Sequence, residues 1–532
     1  MGRKKTPSFV TEFPLLITSD SEKELVARFE AGRQLYNAAL GEAIARVELV
    51  RNSDPYQEAK KIKIKTDDDK KHRNELFTTA RKQSRYSDFE LQAFAVITAN
   101  NSKWIAEKLD SNTIQKIATR AFKASEKVLF GRARKVRFKT FNAFHSLEGK
   151  TNKQGIMFKG GSDCKIVWCG LELPIIFPEK WNDVLEHGYR CPVKYCRIIW
   201  RELNGKRRWF VQLINEGEPY KYRQNTKSLS GLVGMDLNVS NVAVVGDNKA
   251  GLYPFAENVL TFEQEIKSLQ RKMQRSQRSM NPENYESDFE KKVGRRIKRK
   301  KGKVKKGTRR WKNSSAYKKY ARKKRELERR KAAYSKSQNR GLANKIIREV
   351  GNNIKAEKVS VRGWQKRYGK AISAKSPGFF QSELARKAES AGGQFTTFST
   401  QKTALSQTHL DGTRIKKSLS ERVHKDATGF EMQRDLFSAY LGRYVNDCDE
   451  LQVTQVQSDW GRAEPLLMQA WREHKTASTK SSTESGCVIT SSERDCIKRN
   501  QSSQIASVKG DKLETSGSGQ PGLRVMPESP NL

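Results

Sequence analysis

The stretch Leu232-Val-Gly-Met-Asp-Leu-Asn-Val-Ser-Asn-Val-Ala-Val-Val-Gly246 is apolar almost throughout, breaks once at Asn-Val-Ser-Asn, and carries a single acid, Asp236. It reads as two paired strands. An acid inside an apolar strand is costly unless it is paired, hydrogen-bonded or bound to a metal. Two more acids have a similar setting. Glu357 ends the predicted strand Asn353-Ile-Lys-Ala-Glu357, and Asp435 opens a predicted helix in Gln433-Arg-Asp-Leu-Phe-Ser-Ala-Tyr-Leu441. Phosphodiester cleavage by two metal ions needs clustered carboxylates that hold the ions roughly 4 Å apart. Mg²⁺, a hard cation, prefers such oxygen ligands, and Mn²⁺ takes them too. Spacing alone leaves this triple weak, because a chain with 59 acids offers many others. Glu357 also fits a solvated strand end, and Asp435 a charge at a helix N-terminus stabilised by the dipole.

The composition narrows the partners. The chain has 532 residues, with 104 Lys plus Arg against 59 Asp plus Glu, a formal charge of +45. That length allows several domains. So much positive charge repels itself unless a polyanion neutralises it, and Lys and Arg gain affinity for nucleic acid by releasing counterions from phosphates. No apolar run is long enough for a membrane span, so no membrane partner is expected. The first residues lack a signal-peptide core, and the loose myristoylation match at Gly2 is short enough to arise by chance. Seven cysteines suggest a reducing interior, giving an expected cytoplasmic, nucleoid-associated location in a prokaryote. Cys164/Cys169 and Cys191/Cys196 fall on predicted strands at a spacing that suits thiols better than a structural zinc.

Outward from the quoted stretch, the pattern divides the chain. Residues 8–18 read as an extended segment. Ser19-Asp20-Ser21 with Glu24 offers a helix start, and Leu25, Phe29, Leu35, Tyr36 and Leu40 keep a helical period. Residues 51–75 are charged and weakly patterned. Helix is expected again over 88–130, with Phe94, Ile97, Trp104, Ile105 and Leu109 as its apolar positions. From Val136 short strands follow, including Val136–Thr140, and Asn204-Gly205 marks a hairpin. Arg197, Trp200, Arg201, Arg207, Arg208 and Trp209 interleave cations with aromatics there. This pattern suits backbone contact plus base stacking, and equally a sheet with one wet face. Residues 258–350 read as strongly helical. Between Lys291 and Lys331 there are 23 Lys or Arg and two acids, a run that favours contact with phosphates. Its candidate contacts are Arg295, Arg296, Lys298, Arg299, Lys300, Arg309 and Arg310. A helix is expected over about 377–391, a strand over 393–398, polar turns over 401–430 and helix over 431–445. After Trp471 there is no aromatic residue, and the tail reads as disordered.

Three blocks carry a family resemblance. Gly234-Met-Asp-Leu-Asn-Val-Ser-Asn-Val-Ala243 resembles the first RuvC motif of the TnpB proteins. Ile354-Lys-Ala-Glu-Lys-Val-Ser-Val-Arg-Gly-Trp364 resembles the second, and Gln433-Arg-Asp-Leu-Phe-Ser-Ala439 the third. Leu35-Tyr-Asn-Ala-Ala-Leu40 is similar to an early helix of the same family. The likeness spans about residues 8–445 and extends to compact type V CRISPR effectors. It implies a multidomain α+β protein: an RNase H-like (RuvC) nuclease domain, a β-barrel oligonucleotide-binding wedge and a helical recognition lobe. On that reading residues 1–20 give the first wedge strand, 21–135 the recognition lobe and 136–225 the wedge barrel. Residues 226–400 give the RuvC core with its basic arm (258–350), 401–430 a degenerate zinc-ribbon segment, 431–472 the last part of RuvC and 473–532 the tail. The implied activity is RNA-guided DNA cleavage with Asp236, Glu357 and Asp435 as Mg²⁺ ligands. The implied partners are a guide RNA and double- and single-stranded target DNA. The alternatives are guided binding with little or no cleavage, and a guide-independent RuvC nuclease or transposase.

One departure stands out. The family's four-cysteine zinc ribbon has no counterpart, since no cysteine lies between residues 397 and 447. The frames Leu405-Ser-Gln-Thr-His409 and Leu419-Ser-Glu-Arg-Val-His424 remain. Two histidines do not make a structural zinc site, so no zinc is expected.

Overall fold

The computed structural model describes residues 6–486 except 162, 222–227, 257–258, 294–295, 308–309 and 419–420. The chain forms two compact units, divided near residue 221. Among the described residues no helix is long and apolar enough to cross a membrane.

The first unit joins a helical layer to antiparallel sheets. Strand Ser8–Pro14 pairs with Lys206–Glu216, which pairs with Val193–Leu203, which pairs with Ser146–Glu148. A second sheet of Met157–Lys159, Lys165–Trp168 and Leu171–Pro174 meets the first through a bridge between Leu15 and Ile175. Asn204 and Gly205 both take positive φ (50° and 78°), the backbone of a tight hairpin turn whose twist matches its strands. The long helix Ser19–Asn52 buries Leu25, Phe29, Leu35, Tyr36 and Leu40, as its period requires. Its N-cap is Thr18, whose hydroxyl accepts from the Ser21 N–H, and not the following serine cluster.

Several expectations change here. Residues 51–75 supply helix Asp54–Lys61 and the start of Asp67–Gln83, the latter opened by a Thr66/Asp69 capping box. In helix Asp88–Asn100 the buried stripe is Leu91, Ala95 and Ala99, while Ile97 is exposed, as is Trp104 in the next short helix. Small residues let that helix lie close to Ser111–Leu129. Val136–Thr140 is not a strand. The Asn37 side chain accepts from the Lys139 N–H (2.8 Å) and donates to the Lys139 carbonyl (2.9 Å), so that backbone is satisfied without a sheet partner.

The second unit is built on a five-stranded sheet in the order Ala250–Pro254, Asn241–Val245, Leu232–Leu237, Asn353–Glu357, Phe395–Phe398. The first three strands run antiparallel, and the last two run parallel to Leu232–Leu237. Both faces of the centre are covered, which explains the near-continuous apolar run. Val233, Met235 and Leu237 pack with Ile346, Ile347, Phe380 and Leu384 from helices Ser315–Glu349 and Pro377–Ser390. On the other face Ala243 and Val245 pack with Leu436, Phe437 and Tyr440 of helix Arg434–Gly442.

The basic arm is not helical throughout. Helices Val259–Met280 and Ser315–Glu349 enclose a hairpin, Phe289–Val293 paired with Arg296–Lys300. Alternating Lys/Arg and apolar residues can serve either period, and pairing decides. The last helix, Val453–Gly486, runs past Trp471, so the tail expected to be disordered from 473 is helical to 486; residues 487–532 lie outside the described set.

Candidate active site

Register brings the three acids together. Side chains two apart on a strand share a face, so Asp236 faces the same side as Gly234. That side carries helix Arg434–Gly442. A Cβ on Gly234 would lie 1.8 Å from the Ala439 carbonyl oxygen, so only glycine lets the helix sit this close. On the neighbouring parallel strand Lys355 pairs with Gly234, placing Glu357 beside Asp236 on the same face. Lys355 marks the face independently, because its Nζ donates to the Val445 carbonyl just past the helix (2.8 Å). Asp435 lies in the first turn of the helix and is 4% exposed.

The sheet order reverses between these two parallel strands, one followed by its neighbour on the left and the other placed on the right. Clefts at the carboxyl ends of strands at such a switch point are where open α/β sheets bind ligands. Asp236 and Glu357 stand at those ends.

The electrostatics show mutual repulsion, with Asp236 and Glu357 half-buried and Asp435 buried. Burial, with the charges of Glu357 and Asp435 added, holds the Asp236 carboxyl well above the usual carboxylate range, against weaker help from Arg434 and Arg422. Burial pushes Glu357 up to about 7. Among the described residues these three acids do not form a close ligand group of the kind that His409, His424 and Asp426 form. Hard oxygen ligands that repel one another would nonetheless be drawn together by a divalent cation, which would relieve what the two arginines relieve only in part. Arg434 Nη2 lies 3.7 Å and Arg422 Nη1 3.9 Å from Asp435. The Asn238 amide nitrogen, two residues beyond Asp236, is buried without a partner, as is Arg434 Nε. Those donors are available to a bound ligand.

Gln433, Arg422 and Arg434 were not singled out from sequence. Gln433 donates to Asp435 Oδ2 (3.1 Å) while its Oε1 accepts the Leu436 N–H (2.7 Å), so it caps the helix and aims the acid at once. Gln immediately before a helix start, two residues from an acid, is the only sequence signal for that role.

The expected nucleic-acid contacts divide. Trp209 is 4% exposed, packs edge-on against Phe29, and is core rather than a stacking platform. Trp200 is likewise buried, its indole N–H donating to the Phe144 carbonyl. Arg197 pairs with Glu148 (2.7 Å), and Arg201 grips Glu12 through two bonds of 2.5 and 2.7 Å. Arg207 donates to Asn142 and lies over the Trp200 ring, while Arg208 is exposed. The interleaving is therefore a sheet with one wet face, and only part of it remains open to a phosphate. In the arm, Arg299, Lys300 and Arg310 are exposed; Arg295 and Arg309 lie outside the described residues, and Arg296 and Lys298 fall on the second hairpin strand. The arm also holds a cavity of about 890 Å³, bordered by Arg271, Arg275 and Arg278 at helical spacing and by Lys301 and Lys303. Arg271 and Arg275 are exposed there, while Arg278 donates to the Gly302 carbonyl and lies over the Tyr285 ring. The four paired cysteines form no metal-ligand group among the described residues; Cys164 and Cys196 are buried and Cys169 is exposed.

Where a zinc ribbon was thought degenerate, the chain forms a buried clasp. His409, His424 and Asp426 bring ligand-type atoms within 4.8 Å of one another. Sequence reasoning considered the two histidines and missed Asp426. His424 Nε2 lies 3.0 Å from Asp426 Oδ2 and its Nδ1 2.8 Å from Lys417 Nζ. Asp426 also accepts from the N–H groups of Leu410 and Thr428, and His409 Nδ1 accepts from the Ala427 N–H. These bonds hold Asp426 down at about 2. Asp426 and His424 are held by these hydrogen bonds, while His409 Nε2 is buried without a partner. His424 sits in the hairpin Val423–Lys425/Glu431–Gln433 and packs on Phe437 (4.3 Å between rings), so the clasp braces the helix that carries Asp435. Asp426→Ala is expected to lower stability by about 2–4 kcal/mol, since it strands buried donors; urea unfolding checks this. An equal stability with and without the carboxylate would deny the clasp its role.

No protein-family model matches this chain, and no curated protein matches it. Among solved structures it is similar to one described as a cryo-EM structure of the Cas12f1–sgRNA–target DNA complex, at 11% identity and a TM-score of 0.42. That match covers 82% of this chain and 98% of that one. It is also similar to a cryo-EM structure of a CRISPR–Cas12f ternary complex, at 10% identity and a TM-score of 0.26, covering 82% and 83%. Scores this low describe a loose likeness in the mixture of helices and sheets. They add nothing to the assignment of residues.

Proposed function

We propose that this protein is an RNA-guided DNA endonuclease that cuts with Asp236, Glu357 and Asp435. The observation that carries the reading is the convergence of three carboxylates, from two adjacent parallel strands and one helix, at a sheet switch point. They come from segments up to 199 residues apart in the sequence, and two of them sit where burial resists their charge. Such a cluster destabilises the folded chain unless something uses it.

Asp236, Glu357 and Asp435 would hold Mg²⁺, with Mn²⁺ as a substitute. When bound, the ions supply an activated water and stabilise the leaving oxygen of the phosphodiester. The chain's own groups do the rest. Gln433 fixes the direction of Asp435, and Arg422 and Arg434 add positive charge beside a phosphate. The close seat of helix Arg434–Gly442 on Gly234 sets the distance between acids.

Guidance by RNA rests on the motif resemblance and on the large basic surface, which suits a protein that contacts backbones and leaves sequence reading to base pairing. The test is to purify the protein at high salt after expression with its flanking DNA, sequence the bound RNA, and offer a matching duplex with Mg²⁺. A discrete RNA and a cut dependent on it support the reading. A discrete RNA with tight target binding and no cut selects guided binding alone. Cutting without RNA selects a guide-independent nuclease.

Electrostatic contact sets a second expectation. Non-specific DNA affinity should fall by about 10³-fold or more between 50 and 200 mM salt if six or more phosphates are touched. Fluorescence anisotropy against salt measures this, and a flat response would remove the backbone-dominated interface.

A further inference from the structure

The first unit contains a cationic groove that no sequence motif announced. It is a cavity of about 440 Å³ between helix Ser111–Leu129 and the sheet edge at Ser146–Glu148. Lys116, Arg120, Lys123 and Lys127 line it, at offsets of four, three and four residues. On an α-helix those positions form one stripe. Lys139 and Arg197 close the other side, and Glu148 is the only acid in the lining. Glu148 is already engaged by Arg197 (2.7 Å) and Lys116 (3.7 Å). Lys123, Lys127 and Lys139 make no ion pair among the described residues.

An ordinary solvated helix face mixes signs, because like charges at i,i+4 destabilise a helix. Here they accumulate, and in a concave setting that concentrates their field. The floor is aromatic and fixed. Tyr36 and Phe144 pack together (5.6 Å between centroids), and the Arg120 guanidinium lies over both rings, at 5.8 and 4.8 Å. Arg120 Nη1 donates to the Ser146 carbonyl and hydroxyl, which orients the guanidinium fork. From Lys116 to Lys127 the helix rises about 16 Å at 1.5 Å per residue, long enough to run beside more than one phosphate of a strand.

We infer that this groove is a binding site for the phosphodiester backbone of one nucleic-acid strand, with Arg120 as its fixed anchor and Lys116, Lys123 and Lys127 as a rail beside it. The site lies wholly within the first unit and stands whether or not the second unit cuts DNA.

The full-length protein, stripped of nucleic acid at high salt, tests it by anisotropy against a labelled 20-nucleotide RNA, the same sequence as single-stranded DNA, and its duplex. The variant Lys116→Gln/Arg120→Gln/Lys123→Gln/Lys127→Gln is compared with a control that removes equal charge from exposed positions elsewhere on the unit, Lys60→Gln/Lys61→Gln/Lys70→Gln/Lys71→Gln. The groove variant is expected to lose about 30-fold or more in affinity near 100 mM salt, with the salt slope falling by about three. The control should lose far less. A loss confined to RNA or to DNA identifies the strand. Equal losses in both variants, or none in the groove variant, overturn the site. Because Arg120 also contacts Ser146, the double variant Lys123→Glu/Lys127→Glu, at exposed positions, guards against misfolding; unchanged binding by that variant while it melts normally also overturns it.

Discussion

Asp236→Asn is expected to reduce target-strand cleavage by about 10³-fold or more while guide and target binding persist, since removing one member of a group that acts as a unit forfeits most of its effect. Turnover assays in Mg²⁺ beside filter binding separate the two. The same substitution has an unusual second signature. Most buried changes destabilise, but this one removes a charge that burial, Glu357 and Asp435 all oppose. Without divalent ions at pH 8 the variant should melt above the parent protein, by a margin on the order of 1–2 kcal/mol. The pH dependence has a definite sign. Glu357 is raised to about 7 in the folded chain against 4.5 when exposed, so the folded state holds the proton more tightly. Stability is therefore greatest below about pH 4.5 as far as this group is concerned. It falls as pH rises towards 7 and stays at the lower level above that. Added Mg²⁺ should raise the melting temperature of the parent at pH 8 and do little for Asp236→Asn. If the parent shows neither the pH trend nor the Mg²⁺ response, the carboxylates are not the strained cluster described above.

Gly234→Ala should be more damaging than its size suggests. The added methyl group would lie 1.8 Å from the Ala439 carbonyl and 2.8 Å from the Arg443 side chain, and the first of these is backbone that cannot swing aside. Arg443 is itself buried and tied to Asp247 and Asp459. The helix must back away from the sheet, opening the packing of Leu436, Phe437 and Tyr440. The expected cost is about 3 kcal/mol or more, seen as a lowered urea midpoint with the first unit's transition unchanged. Cleavage should fall even where the protein remains folded, because a retreat of about 1 Å separates Asp435 from the other two acids. A variant as stable and as active as the parent would show that the helix does not need this close seat.

The local pattern reached far in some places and stopped in others for identifiable reasons. The strand pairs at Leu232–Val245, the strand ending at Glu357, helix Pro377–Ser390 and the apolar spine of helix Ser19–Asn52 were legible, because burial on a fixed face writes a period into the sequence. The basic arm was misread as helix through its hairpin, since a run of cations with scattered apolar residues has no period strong enough to decide. Trp209 was read as a stacking candidate because alternation shows that a strand has two faces and does not show which faces water. The groove at Lys116 to Lys127 was written at helical spacing but went unread. A cationic stripe means little until a wall stands opposite it.

By itself, then, the sequence determined which residues are chemically capable: one acid in each of three segments, a large positive charge, and histidines where cysteines were expected. Side-chain chemistry and burial preference are local properties, and they survive in the linear order. Only the tertiary structure decided which of these groups meet. Parallel register put Glu357 beside Asp236, the absence of a side chain at Gly234 let Asp435 approach them, and Asp426 joined two histidines into a clasp. Contacts between residues far apart in the chain are set by packing of whole elements, and no single segment carries that information.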